Sequence, residues 1–112
     1  MTFLIWLDDV RPIDKKYDPY VRHGNYADPK SVNAAIYWIK EAEKWGYKNF
    51  ILDLDHDLGD YANGGDGIKL LDWLVETGRT TSNYQIRLHT MNPVGRENMQ
   101  RMIDKYWEGK RI

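Results

Sequence analysis

The 112-residue sequence contains no cysteine. This absence excludes disulfides, thiolate nucleophiles and zinc–thiolate sites. Any metal ion would have to be bound by oxygen or imidazole ligands, and such ligands favour Mg²⁺ or Mn²⁺. The length predicts one domain over residues 1–112, because a single hydrophobic core typically organises about 100 to 150 residues.

Excess charge and long apolar runs are also missing. The formal net charge is −1, so we expect no broad nucleic-acid-binding surface. The N-terminal apolar run Phe3–Leu7 is too short for a signal sequence or a membrane span, and no basic segment precedes it. We therefore expect a cytoplasmic protein with no membrane partner, in which any recognition of phosphate is local.

Apolar patterns predict strands and helices in alternation. The predicted strands are Phe3–Leu7, a brief strand around Tyr20–His23, Phe50–Leu54 and Tyr84–His89. Predicted helices begin at Asp28-Pro29, near Ile68 and at Asn92-Pro93, and glycines at 46 and 78 end the first two. The segments 10–18 and 59–66 are predicted to be loops, because they are rich in proline or in glycine and aspartate.

This alternation predicts a parallel α/β sheet, whose binding site lies beyond the carboxyl ends of the strands. We predict the strand order 2-1-3-4. The strand Tyr84–His89 is placed at an edge, because its polarity alternates and no later strand follows it.

Residues able to carry chemistry lie at these predicted strand ends. They include all three histidines of the chain and are Asp8, Asp9, His23, Asp53, Asp55, His56, Asp57, His89 and Thr90. Aspartate and histidine are also common at strand ends because they tolerate turns, so each residue taken alone has a structural alternative.

Three of the carboxylates, those of Asp8, Asp9 and Asp55, are predicted to converge. Two carboxylates about 4 Å apart repel each other by roughly 4 kcal/mol at an effective dielectric constant near 20. A bound divalent cation, Mg²⁺ or Mn²⁺, is the simplest way to relieve that repulsion.

The segment from Asn92 to Arg96 predicts an anion site, because a helix N-terminus presents free amides and a partial positive charge. Arg96 and Arg11 are candidate ligands for phosphate. The alternative is an ordinary capped helix and two solvated arginines.

Three motifs together resemble the cyclic-phosphate processing receiver domain family. They are Leu7-Asp8-Asp9-Val10-Arg11-Pro12, Leu54-Asp55-His56-Asp57-Leu58-Gly59, and the segment from His89 to Met99 that contains Thr90 and Asn92. The resemblance spans nearly the whole chain. It implies a reduced receiver of flavodoxin-like fold, a three-layer α/β sandwich with three main helices.

The resemblance also implies roles for individual residues. Asp8 and Asp9 match the acidic metal pair of receivers, Asp55 matches the phospho-accepting aspartate, and Thr90 matches the hydroxyl residue after the fourth strand. His56 and His89 look like the family's added catalytic or phosphate-binding groups. No fifth strand carries the lysine that ordinary receivers use, so the sequence departs from signalling receivers.

The leading hypothesis is a phosphoesterase, a hydrolase acting on a cyclic nucleotide or an RNA terminal cyclic phosphate with Mg²⁺ or Mn²⁺ bound. His56 and His89 would act as base and acid, Asp57 or Asp53 would orient one ring, and Asp55 would be either a ligand or a nucleophile. The alternatives are a non-catalytic sensor or sequestering protein for a phosphorylated nucleotide, and a degenerate receiver used for protein contacts.

Overall fold

The structure is a computed structural model that describes residues 1–107. Its strands are β1 (Thr2–Leu7), β2 (Tyr26–Ala27), β3 (Asn49–Leu54) and β4 (Tyr84–Leu88). Its α-helices are α1 (Asp18–His23), α2 (Val32–Lys44), α3 (Ile68–Glu76) and α4 (Pro93–Tyr106). Two 3₁₀ segments, Lys15–Tyr17 and Gly59–Gly64, complete the description.

The four strands are parallel and lie in the order β2-β1-β3-β4. This order and the reduced receiver-like fold are confirmed, with β4 at one end of the sheet. The described part of the chain has four α-helices rather than three, because a short helix precedes β2.

Alternating side chains divide the sheet into two faces. On the large face, residues such as Ile5, Leu52 and Leu54 pack against α2, α3 and α4 in the main core. On the small face, a second core consists of Leu4, Trp6, Ile51 and Tyr17, and Tyr17 comes from the 3₁₀ segment before α1. Because β1 and β3 are covered on both faces, they are apolar almost throughout.

The brief strand predicted around Tyr20–His23 is wrong, because this segment is helix α1. Pro19 stands in its first turn, where a missing N–H is tolerated. Gly24 ends the helix with φ +72°, a left-handed conformation that glycine adopts without strain. The second strand of the sheet is instead the two-residue β2, which pairs with Leu4 and Ile5.

The predicted start of the second helix at Asp28-Pro29 is also too early. The carbonyl of Pro29 accepts a hydrogen bond from the Asp8 amide, so the chain still runs extended beside the end of β1. Helix α2 begins after Ser31, whose hydroxyl accepts a hydrogen bond from the Ala34 amide at 3.1 Å. None of the helices within residues 1–107 is long and apolar enough to cross a membrane.

Candidate functional site

The register of the sheet brings the central residues of the site together. Trp6, Asp53 and Arg87 occupy one row of adjacent positions on β1, β3 and β4. Asp8, Asp55 and His89 follow two residues after these positions in the chain. Their side chains therefore point to the same face of the sheet as that row. One ligand atom from each of these three residues lies within 4.8 Å of the other two.

Asp8 is buried and anionic. Its Oδ1 accepts hydrogen bonds from the amides of Val10 and Arg11, both at 2.8 Å, and its Oδ2 lies 2.9 Å from Nε2 of His89. Burial alone raises the pKa of Asp8, but the two amides and His89 outweigh burial and lower this pKa below its usual value. The turn after β1 thus fixes a negative charge at the sheet edge.

Asp55 is the second buried carboxylate of the site. It accepts hydrogen bonds from the His56 amide at 2.8 Å and from the Thr90 hydroxyl. Burial and the negative charge of Asp8 raise the pKa of Asp55, and these hydrogen bonds only partly oppose the rise. Two carboxylates therefore share a space in which a positive charge would stabilise both.

The His89 imidazole is held on three sides. Its Nδ1 lies 2.8 Å from Oδ1 of Asp53, its Nε2 faces Asp8, and its ring stacks on Trp6 at a centroid distance of 3.9 Å and an angle of 3°. Both ring nitrogens therefore face a carboxylate oxygen, and the stacked indole limits how far the ring can turn.

Arg11 lies over this centre with its side chain 43% exposed. Its Nε is 3.3 Å from Oδ2 of Asp8 and its Nη2 is 3.8 Å from Oδ1 of Asp55. Its Nη1 donates to the carbonyl of His89 at 3.2 Å, which anchors the guanidinium group at the carboxyl end of β4. A fixed but accessible guanidinium group at this position can bind an anion.

A second histidine group lies where α4 begins. His56 Nδ1 is 2.8 Å from Oδ1 of Asp57, and the Asn92 amide donates to both Asp57 oxygens at 3.2 Å. The ring of His56 lies against Gly95, where an added Cβ would stand 2.5 Å from its Cγ. Hydrogen bonds from His56 and Asn92 lower the pKa of Asp57, so this carboxylate is anionic and can orient the ring.

Comparison with known proteins identifies the family. Residues 3–105 match the family described as the cyclic-phosphate processing receiver domain, which is almost the whole chain. The chain belongs to this family. No curated protein and no solved structure matches the chain. The family's name suggests a role in the processing of cyclic phosphates.

The receiver domain brings together two of the three carboxylates predicted to bind a cation. Asp9 is not part of the group formed by Asp8, Asp55 and His89 within the described residues. Asp9 is adjacent to Asp8 in the chain, but its carboxylate packs over Gly59, where an added Cβ would lie 2.7 Å from Asp9 Oδ2. His89 is therefore a further candidate ligand beside Asp8 and Asp55, and the metal-binding role of Asp9 stays a prediction.

The predicted phosphate-binding residues of the receiver domain lie at the same edge of the sheet. The hydroxyl of Thr90 contacts Asp55 and accepts a hydrogen bond from the Asn92 amide at 3.1 Å. The Asn92 side chain caps α4 by accepting from the Gly95 amide at 3.0 Å. Arg96 is exposed and donates to the Leu88 carbonyl at 3.2 Å, so its guanidinium group lies at the end of β4.

His23 is not at the carboxyl edge of the receiver domain. It ends α1 and lines a surface hollow with Met1 and Thr2, at the amino end of β1. The predicted placement of all three histidines at strand ends is therefore wrong for His23, because the segment that carries it is a helix. His56 and His89 do share the edge, and their contact with one phosphate stays a prediction.

Sequence reasoning gave no functional role to three contributors to the site, Trp6, Tyr17 and Gly95. For Trp6 a signal existed, because it alternates with the large-face residues Ile5 and Leu7 and so shares the small face with Asp53 and His89. For Tyr17, which lies in a segment predicted to be a loop, no local pattern indicated that it would reach the sheet.

Proposed function

We propose that this receiver domain binds Mg²⁺ or Mn²⁺ and catalyses the hydrolysis of a cyclic phosphate on a nucleotide or an RNA end. The observation that carries the proposal is the convergence of Asp8, Asp55 and His89 at the carboxyl edge of three adjacent parallel strands. In open α/β sheets this edge is where ligands bind.

The donor set suits a divalent cation. Asp8 and Asp55 are only 3% and 6% exposed, and burial together with the charge of Asp8 raises the pKa of Asp55. A divalent cation would stabilise the ionised pair beyond the contacts that Arg11 supplies. Oxygen ligands with one imidazole are compatible with Mn²⁺, and the carboxylates alone with Mg²⁺. A cation bound there would polarise a phosphoryl oxygen and lower the pKa of a coordinated water molecule.

His89 is better placed to hold the cation than to carry a proton to the substrate. Its Nε2 faces the Asp8 carboxylate, while its Nδ1 faces Asp53. Histidines that bind metals commonly donate their second ring N–H to a carboxylate, which fixes the tautomer and the ring orientation. This assignment replaces the acid or base role that the sequence suggested for His89.

His56 is left as the group that moves protons. Its Nδ1 contacts Asp57, and such a contact orients an imidazole for proton transfer. In the proposed reaction, the oxygen of a water molecule bonds to phosphorus and His56 takes the proton of that water. One ester P–O bond breaks, and His56 returns the proton to the leaving oxygen, so that the products are a phosphomonoester and a hydroxyl group.

Phosphate would be held by the cationic groups of the same edge. Arg11 is exposed enough to meet an anion and is anchored on the carbonyl of His89. Arg96, at the end of β4, supplies a second guanidinium group. Guanidinium groups bind phosphate through paired hydrogen bonds, so these two residues would position the cyclic ester without taking part in bond cleavage.

The test is turnover of a panel of substrates: 2′,3′-cyclic nucleotides, 3′,5′-cyclic nucleotides and RNA with a terminal 2′,3′-cyclic phosphate. We expect hydrolysis with Mg²⁺ or Mn²⁺ that stops on chelation. We expect His56→Ala to reduce kcat about 10²- to 10⁴-fold. The matched control is His23→Ala, which alters a histidine at the other end of β1 and should leave kcat unchanged.

Two outcomes would contradict this function. Saturable binding of a cyclic nucleotide without turnover would favour a sensor or sequestering protein. No binding and no turnover with any member of the panel, in protein that binds the cation, would favour a receiver used for protein contacts.

A further inference from the structure

The Asp53 carboxylate is almost completely buried, with an exposed fraction of 1%. Both of its oxygens have partners: Oδ1 lies 2.8 Å from Nδ1 of His89, and Oδ2 accepts a hydrogen bond of 2.5 Å from the Tyr17 hydroxyl. Burial raises the pKa of Asp53, but the hydrogen bonds from His89 and Tyr17 outweigh it, so the group stays anionic. A buried charge that is hydrogen-bonded on both sides has little freedom to rotate.

Tyr17 is fixed in turn by the small face of the sheet. The residue is 2% exposed, and its hydroxyl accepts a hydrogen bond from Nη1 of Arg87 at 3.1 Å while donating to Asp53. Burial and the hydrogen bond to Asp53 raise the pKa of Tyr17 to about 12, so the phenol remains a donor. The hydroxyl therefore aims one specific oxygen of Asp53 and leaves the other for His89.

Trp6 packs on one face of the His89 imidazole and limits the tilt of that ring. Its indole ring is parallel to the His89 ring, and its own Nε1 donates to the Arg11 carbonyl at 3.0 Å. Because the indole is 5% exposed and hydrogen-bonded, it forms a rigid plane on which the imidazole can lie but not tilt.

We propose that Tyr17, acting through Asp53, and Trp6 are positioning residues that hold Nε2 of His89 toward Asp8 and Asp55. The proposal rests on the proposed function for its effect on metal affinity. It extends that function to Tyr17 and Trp6, which lie outside the three sequence motifs around Asp8, Asp55 and His89. It assigns the 3₁₀ segment Lys15–Tyr17 a part in the site as well as in the second core.

The alternative is that Tyr17 serves only the fold, as a member of the second core. Tyr84 offers a matched control for that alternative. Its hydroxyl donates to Oε2 of Glu43 at 2.6 Å, its ring stacks on Phe50, and its pKa is likewise raised to about 12 by burial and the carboxylate. Tyr17→Phe and Tyr84→Phe therefore remove the same kind of hydrogen bond, one beside His89 and one on the large face.

The experiment compares the two variants by three measurements: thermal unfolding, calorimetry with Mn²⁺, and NMR of the histidine ring nitrogens, with the His89 signals assigned from a His89→Gln variant. We expect both variants to fold and to lose similar stability. Only Tyr17→Phe should shift the His89 ring signals and weaken Mn²⁺ affinity, by about 10- to 100-fold. Asp53→Asn, which keeps the side-chain shape, should do the same.

The proposal is overturned if the His89 ring signals of Tyr17→Phe match those of Tyr84→Phe. Failure of the proposed function gives a different result, namely no Mn²⁺ binding by the unmodified protein. In that case the ring signals still decide whether Tyr17 and Asp53 orient His89.

Discussion

The imidazole of His56 lies on Gly95, in the first turn of α4, so closely that any side chain at position 95 would meet it. An added Cβ would stand 2.5 Å from Cγ and 2.7 Å from Nδ1 of His56, closer than real Cβ atoms approach. The absence of a side chain at this position therefore determines where the ring can lie.

Gly95→Ala tests that relationship. Alanine is favoured over glycine inside a helix by roughly 0.5 to 1 kcal/mol, which offsets part of the crowding. We expect a small change in the free energy of unfolding but a displaced His56 ring, a broken contact with Asp57 and a large loss of kcat. Full activity in a folded Gly95→Ala protein would show that the position of His56 does not matter.

The cation site can be tested by comparing adjacent aspartates. We expect Mn²⁺ to raise the midpoint temperature of unfolding of the unmodified protein. At a concentration 100 times Kd, the expected gain in the free energy of unfolding is about 2.7 kcal/mol. Asp8→Asn and Asp55→Asn should abolish this gain. Asp9→Asn should keep it, because Asp9 packs over Gly59 and not with the other two carboxylates. Equal losses in all three variants would restore the three-carboxylate site that the sequence predicts.

Gly67 permits the close approach of α3 to the site. An added Cβ would lie 1.9 Å from the carbonyl oxygen of Asp55, which is backbone and cannot move aside easily. We expect Gly67→Ala to destabilise the protein by about 3 kcal/mol and to weaken Mn²⁺ binding as Asp55 shifts. The control is Gly24→Ala, where φ is +72° and nothing lies within 4 Å of the added Cβ. It should cost about 1 to 2 kcal/mol from backbone strain alone and leave Mn²⁺ affinity unchanged.

Glu43 gives the stability of the fold a predictable dependence on pH. Arg79 donates to its two oxygens at 2.9 and 2.8 Å, and Tyr84 donates at 2.6 Å. The hydrogen bond from Arg79 is the main cause that lowers the pKa of Glu43, and burial opposes it. Because the folded state has the lower pKa, the stabilisation is complete above the ordinary value near 4.5 and is lost as pH falls through the folded pKa.

Glu43→Gln should therefore reduce the free energy of unfolding by about 1 to 2 kcal/mol at pH 7, a range discounted for partial exposure of the pair. The difference between the two proteins should shrink as pH falls below 4. Urea unfolding at pH 7, 5, 4 and 3 measures it. A difference that does not change with pH would mean that the ionised form of Glu43 gives the fold no extra stability.

The sequence by itself determined the order of the sheet and three of its four strands, because the apolar pattern of a segment acts locally. It misplaced the second strand and the start of α2. Continuous apolar runs mark β1 and β3, alternation marks β4, and Asn92 caps α4 as its side chain predicts. Once these strands are parallel and in register, the side chains of Asp8, Asp55 and His89 must meet at one edge. Much of the candidate site was thus contained in the spacing of the motifs.

Only the tertiary structure decided which neighbours complete the site. Asp8 and Asp9 are the same residue type at adjacent positions, but the Asp8 carboxylate contacts His89 whereas the Asp9 carboxylate lies over Gly59. Tyr17 and Asp53 are 36 positions apart, and no periodic pattern links a 3₁₀ turn to a buried strand. Such contacts depend on how a short segment packs on a sheet face, which is a property of the assembled core and not of local sequence.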